Sequence, residues 1–222
     1  MIKPKELKPN STIGIVSPSY WLDEKVLKKT SKYFTDLGYN IILGSSNFLR
    51  CGPFAGTPQD RAEDIHEMFK NPKIDAIICA RGGYGANKVL SLLDYELIKD
   101  NPKIFLGYSD ITAFLLSISQ KTELITFHGP MLSSFKENFI DYNYHHMLQV
   151  LQLKNERKIF SSPTSPVKVL KSGIGRGRIW GGNMTLLINR LGTPSALSTE
   201  NIILFLEDVD EYFYSFERNL IH

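Results

Sequence analysis

The stretch from Lys103 to Phe114, KIFLGYSDITAF, places Ser109 between an apolar run typical of a buried strand and an amphipathic run typical of a helix. Two roles are open to a serine at such a junction. Its hydroxyl can cap the helix by accepting a first-turn N–H, or it can project from a tight strand-to-helix turn as a nucleophile. Gly107 and Ser109 match part of the G-x-S-x-G nucleophile elbow, but Ile111 replaces the second glycine. The motif alone therefore leaves both roles open.

A glycine-rich stretch, ARGGYGANK, follows the preceding apolar run and carries Arg81, Gly82, Gly83 and Gly85. Backbone without Cβ atoms can approach a substrate closely or offer an N–H to an oxyanion. A plain flexible turn or a phosphate loop is the alternative. Neither GxGxxG nor GxxxxGK[ST] can be written here, which disfavours the phosphate loop.

A serine nucleophile needs a base, and the base usually needs an orienting carboxylate. His128, in FHGPM, lies just past an apolar run and is the candidate base from the residues alone, with a hydrogen-bonded turn histidine as the alternative. Glu207 closes the apolar run NIILFL and is the candidate carboxylate. An acid in that position can also belong to a solvated turn or a cation site.

Short apolar runs alternate with stretches of helical period along the first 127 residues. The expected strands are 12–17, 39–44, 75–80, 103–108 and 123–127. Thr57, Pro58 and Asp60 mark a helix start by N-cap, N1 and N3 preferences, and KVLSLLD is expected to continue the helical segments. Because parallel strands need crossovers, the pattern predicts an α/β fold with a parallel sheet covered on both faces.

The alternation breaks after Phe127. A helical stretch near 144–153 is followed by a segment rich in charge, Ser, Pro and Gly, and period-2 alternation appears in PVKVLK. We expect an α/β domain over residues 1–135 carrying the nucleophile, a helix and linker over 136–163, and the start of a β-rich domain over 164–222 that is incomplete.

The charge, cysteine content and hydropathy of the chain disfavour several classes of function. The 222 residues carry a net charge of +3 and scattered lysines, which disfavours nucleic-acid binding. Two distant cysteines without metal-ligand spacing fit a reducing compartment and no zinc site. No segment is long and apolar enough for a membrane span, and no leader is evident. We therefore expect a cytoplasmic protein without a zinc site.

Several ordered motifs together resemble the LD-carboxypeptidase family of serine peptidases, which includes murein tetrapeptide carboxypeptidases and microcin C self-immunity peptidases. The motifs are IGIVSPS, RGGYG, GYSD, FHGPM, GGN followed by LGTP, and LEDVDEYFYSFERNL. The resemblance extends from Thr12 onward. It implies a flavodoxin-like or Rossmann-like first domain, a β-rich second domain, and an active site in the groove between them.

The resemblance also implies roles for individual residues. Ser109 matches the family nucleophile and Glu207 the acid of its triad, while Gly83 and Asp110 match the positions whose main-chain N–H groups form the oxyanion hole. Substrate contacts are expected from a set at the same rim, namely Arg81, His128, Asn183 and Trp180. An ion pair for Arg81 and a core position for Trp180 are the alternatives.

The triad histidine is the main departure from the family pattern. In the family it lies in a later C-terminal motif, and none of the five histidines here matches it. The chain therefore resembles a C-terminally truncated member and is expected to be inactive or weak, with His128 a pocket residue.

The implied reaction needs no metal or organic cofactor. It removes a terminal D-amino acid, D-Ala, from L,D-linked muropeptides in peptidoglycan recycling. A microcin-like aminoacyl-nucleotide peptidase and a non-catalytic small-ligand module are the alternatives. The expected partner is a muropeptide or similar peptide, and a homodimer is left open.

Overall fold

A computed structural model describes residues 1–135, 141–152, 167–196 and 199–222. Five strands form one parallel sheet in the order β2-β1-β3-β4-β5. This is the strand order of flavodoxin-like folds, in which ligands bind beyond the carboxyl ends of the strands. The strands are β1 Thr12–Val16, β2 Asn40–Leu43, β3 Ala76–Cys79, β4 Ile104–Gly107 and β5 Phe127–His128.

Helices connect the strands and cover both faces of the sheet. They are α1 Glu24–Asp36, α2 Pro58–Lys70, α3 Tyr95–Asp100, α4 Thr112–Thr122 and α5 Asp141–Leu151. The α2 start is as predicted, because Thr57 and Asp60 exchange hydrogen bonds in a capping box and Pro58 occupies the first turn. Gly38, with φ of 88°, follows the end of α1, where a left-handed residue is expected.

Alternate residues of each strand point into separate apolar layers, as the two-residue period requires. In β1, Ile13 and Ile15 pack toward α1 and α5, whereas Val16 belongs to the layer under α2, α3 and α4. In β4, Phe105 joins that second layer and Leu106 the first. The sheet is thus buried on both faces, as the continuous apolar runs predict.

Three expectations about local structure are wrong in detail. KVLSLLD, residues 88–94, begins at the last residue of one short 3₁₀ turn, Ala86–Lys88, and contains a second, Leu90–Leu92. The α-helix begins only at Tyr95. The run 123–127 contributes one paired strand residue, Phe127, with His128 extending it. In the described part of PVKVLK, residues 167–171 form no strand, and Val167 and Val169 are exposed.

The residues after 177 form a second, smaller layer against α4. Strands β6 (Arg178–Asn183) and β7 (Ile202–Glu207) pair in parallel, with α6 (Met184–Arg190) between them and α7 (Phe213–Ile221) after them. The buried Arg190 guanidinium on α6 donates to the Ala113 carbonyl of α4 at 2.7 Å. The smaller sheet is therefore joined to the helix that follows Ser109.

The two predicted domain boundaries fall at stretches of the chain outside the described residues. The boundaries at 135 and 163 lie beside or within 136–140 and 153–166, so the domain division stays a prediction. Among the residues that the structure describes, no helix is long and apolar enough to cross a membrane. The same described residues contain no cluster of three or more His, Cys, Asp or Glu side chains suited to a metal ion.

Replacing Gly107 by alanine tests how tightly β4 meets the turn after it. A Cβ at Gly107 would lie 2.6 Å from Ile111 Cγ2, so we expect a loss of about 1–3 kcal/mol in unfolding free energy from overpacking. Gly129→Ala, beside the end of β5, is the matched control, because its Cβ would meet Leu106 Cδ1 at an ordinary 3.4 Å. Urea denaturation of both variants measures the difference, and equal midpoints would contradict this packing.

Candidate functional site

Ser109 occupies a sharp turn at the carboxyl end of β4. Its φ of 60° is unusual for a residue with a side chain, and it opens a short 3₁₀ turn, Ser109–Ile111, that leads into α4. The first residue of α4 has no side-chain cap, so the hydroxyl is not used as a helix cap. The capping alternative is therefore wrong. A strained backbone that projects a serine from a strand-to-helix turn is typical of a nucleophile elbow.

The glycine-rich loop after β3 lies directly against this serine. A Cβ added at Gly82 would lie 3.1 Å from Ser109 Oγ and 3.4 Å from the amide nitrogen of Asp110. Gly83 has a φ of 125°, and a Cβ there would lie 2.5 Å from the Tyr20 ring. Position 83 therefore requires glycine, and glycine at position 82 lets the backbone lie close to Ser109.

The Asp110 side chain is buried beside the serine. Its Oδ2 accepts hydrogen bonds from Ser19 Oγ at 2.5 Å and from the Ala86 amide at 3.0 Å. Burial raises the pKa of this carboxyl, while those bonds and the nearby Arg61 charge act in the opposite direction. The side chain thus has a structural role in addition to the main-chain N–H that the family resemblance singles out.

Arg81 stands at the start of the glycine-rich loop and is half-buried. Its guanidinium donates to the Trp21 carbonyl at 3.4 Å and lies 5.7 Å from the centre of the Tyr20 ring. None of the ion pairs found among the described residues involves Arg81. Its charge therefore remains able to meet an anionic group at the rim.

His128 and Glu207 lie close together although 79 residues separate them. His128 Nε2 is 3.8 Å from Glu207 Oε1, and each side chain is 25% exposed. The imidazole packs between the rings of Tyr108 and Phe205. Burial lowers the pKa of His128. Burial and the neighbouring Asp208 carboxylate raise the pKa of Glu207. Both effects favour the neutral forms of the pair.

Asn183 joins the end of β6 to the acidic segment after β7. Its Oδ1 accepts from the Leu186 amide as the N-cap of α6, and its Nδ2 donates to Asp208 Oδ1 at 3.0 Å. The Asn183 backbone N–H donates to Thr112 Oγ1, three residues after Ser109. The side chain therefore already has protein partners and holds the acidic segment toward α4.

Trp180 lies on β6, half-buried, at a cavity of about 650 Å³ between the β5 edge, α4, α5 and β6. The lining is mostly apolar. Its polar members include His128, His146, Asn143 and Arg178. Ser109 is not a lining residue, so the cavity adjoins His128 rather than the serine.

The structure brings Ser109, Gly82, Gly83 and Asp110 together, and separately pairs His128 with Glu207. Sequence reasoning missed Ser19 and Arg61, which contact this site through buried hydrogen bonds. The sequence carries one signal for Arg61. Its helical spacing i, i+4, i+7 with the buried Ile65 and Met68 places it on the buried face of α2.

Comparisons with known proteins find one family over both described parts of the chain. A family profile described as the LD-carboxypeptidase N-terminal domain matches residues 13–129, and one for the C-terminal domain of the same family matches 176–222. The "Probable murein peptide carboxypeptidase" of Bacillus subtilis is 37% identical over 98% of this chain and 68% of its own length. The murein tetrapeptide carboxypeptidase of Pseudomonas aeruginosa is 30% identical over 94% and 69%.

A solved structure shows the same fold. The microcin C7 self-immunity protein MccF, in complex with aspartyl sulfamoyl adenosine, superposes with a TM-score of 0.86 at 27% identity. The match covers 99% of this chain and 74% of that one.

The protonation state of His128 provides a test of the site's electrostatics. Because burial lowers its pKa, we expect the imidazole to titrate below the ordinary value of 6.5 and to be neutral at pH 7. NMR titration, with the His128→Gln variant to assign the signal, measures this. A pKa at or above 6.5 would show instead that attraction to the Glu207 carboxylate outweighs burial.

Proposed function

Because this chain belongs to the LD-carboxypeptidase family, we propose that it is a serine peptidase that removes D-Ala from the end of L,D-linked muropeptides. The observation that carries the proposal is Ser109, held at a φ of 60° on the turn after β4 with the backbone of Gly82 against it. The names of the two murein-peptide relatives supply the substrate class.

In the proposed reaction, Ser109 Oγ attacks the carbonyl carbon of the residue before the terminal D-Ala. As the new C–O bond forms, the hydroxyl proton passes to a base and the carbonyl oxygen becomes an oxyanion. The main-chain N–H groups of Gly83 and Asp110 would stabilise that charge. The C–N bond then breaks, D-Ala leaves with the proton, and water hydrolyses the acyl-enzyme.

Glu207 is proposed as the carboxylate that orients the base. Its Oε1 is buried and has no hydrogen-bond partner among the described residues, so it can accept a bond from an imidazole N–H. Of the rim residues, Arg81 offers a cation for the substrate carboxylate, whereas Asn183, Trp180 and His128 would shape the pocket.

A second substrate class has support of its own. Trp180 borders a large apolar cavity beside His128, and an indole ring can stack on a planar base. The MccF structure holds an aminoacyl-adenosine analogue. Cleavage of a microcin-like aminoacyl nucleotide is therefore the runner-up, and a non-catalytic binding module is the outcome if Ser109 proves unreactive.

We also propose that the protein is cytoplasmic and forms a homodimer. Both described cysteines are free thiols, Cys51 exposed and Cys79 buried, which fits a reducing compartment. Exposed apolar side chains on α7, Phe213 and Leu220 among them, offer a surface for a second copy.

The serine itself is tested by Ser109→Ala. We expect this variant to lose labelling by a fluorophosphonate probe, together with whatever release of D-Ala from a muropeptide tetrapeptide the unmutated chain shows. Its unfolding free energy should change by less than about 1 kcal/mol, because the hydroxyl caps no helix. Intact-protein mass spectrometry and a D-Ala assay measure these effects, with the exposed Ser91→Ala as a matched control. Labelling retained in Ser109→Ala would move the nucleophile elsewhere.

The role of His128 is tested by His128→Gln. As a pocket residue, it should weaken turnover moderately while phosphonylation of Ser109 continues at a similar rate, since the probe is small. The ratio of the two rates, compared with wild type, is the measurement. A loss of labelling equal to that of Ser109→Ala would identify His128 as the base.

A further inference from the structure

Arg61, on the second turn of α2, is fully buried at 1% exposure. Its Nη1 donates to the Pro18 carbonyl at 2.8 Å and to the Gly85 carbonyl at 3.2 Å. Pro18 lies in the loop after β1 and Gly85 in the loop after β3. One guanidinium, whose donors have a fixed planar geometry, therefore joins two loops at the carboxyl edge of the sheet.

Asp110 holds the same two loops from the turn after β4. Its Oδ2 accepts from Ser19 Oγ, next to Pro18, and from the Ala86 amide, next to Gly85. The carboxylate is 3% exposed and interacts electrostatically with Arg61. Arg61 and Asp110, with Ser19, thus form a buried clamp across three neighbouring loops.

These three loops carry the groups that the proposed reaction needs. The turn after β4 supplies Ser109 and the Asp110 N–H, and the loop after β3 supplies Gly83. The loop after β1 supplies Tyr20, which fills the space beside Gly83. Any shift of one loop against another would change the distance between the Gly83 N–H and the carbonyl attacked by Ser109.

We propose that Asp110 and Arg61 are positioning residues, whose buried side chains set the spacing of the two oxyanion-hole amides around Ser109. The inference rests on the proposed serine chemistry. An oxyanion hole needs its donors within about 2.7–3.1 Å of the oxyanion, and a displacement of about 1 Å can cost on the order of 100-fold in rate. The clamp acts on the reaction only through the backbone.

The test compares Asp110→Asn with Asp64→Asn. Asp64 is a matched control: it is a buried acid on α2 whose pKa burial also raises, and it accepts from the Ser45 and Ser46 amides of the loop after β2. The readout is phosphonylation of Ser109 by a fluorophosphonate, resolved into a binding constant and a limiting rate. Asp110→Asn keeps an acceptor oxygen for Ser19 and Ala86 but removes the negative charge that interacts with the buried Arg61 guanidinium. We therefore expect Asp110→Asn to lower the limiting rate about 10- to 100-fold with the binding constant unchanged, and Asp64→Asn to change neither.

Hydrogen exchange separates this inference from the serine chemistry. The amides of residues 81–86 should exchange faster in Asp110→Asn than in Asp64→Asn, whether or not the protein reacts with the probe. If the fluorophosphonate does not label Ser109 in wild type, the proposed function is wrong. The hydrogen-exchange comparison then tests the clamp by itself. A wild-type limiting rate in Asp110→Asn overturns the inference, and so does unchanged exchange.

Should Asp110→Asn fail to fold, Ser19→Ala takes its place. It removes one hydrogen bond to the carboxylate and leaves the electrostatic interaction of Asp110 with Arg61. We therefore expect a smaller fall in limiting rate, about 3- to 10-fold, with faster exchange over 81–86. No change in either quantity would overturn the inference.

Discussion

The burial of charged side chains at the carboxyl edge of the sheet is the constraint on which the site depends. A buried ion that loses its partners costs several kcal/mol, so each must be satisfied by hydrogen bonds. Arg61 and Asp110 find these partners mainly in the backbone and hydroxyls of the loops after β1 and β3. Satisfying the charges therefore orders the loops, and the loops carry the reactive groups.

Glycines complete this arrangement by allowing backbones to approach. Gly82 and Gly83 let the loop after β3 lie against Ser109 and Tyr20, and Gly107 leaves room for Ile111. Ser109 itself adopts a left-handed conformation that costs on the order of 1–2 kcal/mol. Such strain persists only where the surrounding structure determines the conformation, and here buried residues surround the turn on several sides.

Much of the fold could be predicted from local pattern. The capping box at Thr57, the all-parallel sheet and the placement of Ser109 beyond β4 follow from periodicity and helix-start preferences. The 3₁₀ turns near Val89 and the short β5 could not be predicted, because their form depends on tertiary packing rather than on local preference.

The site depends on contacts between residues far apart in the sequence, which local patterns do not predict. The approach of Glu207 to His128 depends on how the smaller sheet packs against α4, which no local pattern encodes. The partners of Arg61 lie 24 and 43 residues away along the chain. The sequence indicates only that Arg61 lies on the buried face of α2. A charged residue on such a face indicates that it has a specific partner.

A crystal structure of the protein after reaction with a fluorophosphonate tests the central claim most directly. The account predicts a covalent bond from phosphorus to Ser109 Oγ, with the phosphoryl oxygen about 2.7–3.1 Å from the amide nitrogens of Gly83 and Asp110. An adduct on another residue would contradict it. So would an adduct on Ser109 whose phosphoryl oxygen faces solvent, away from both amides.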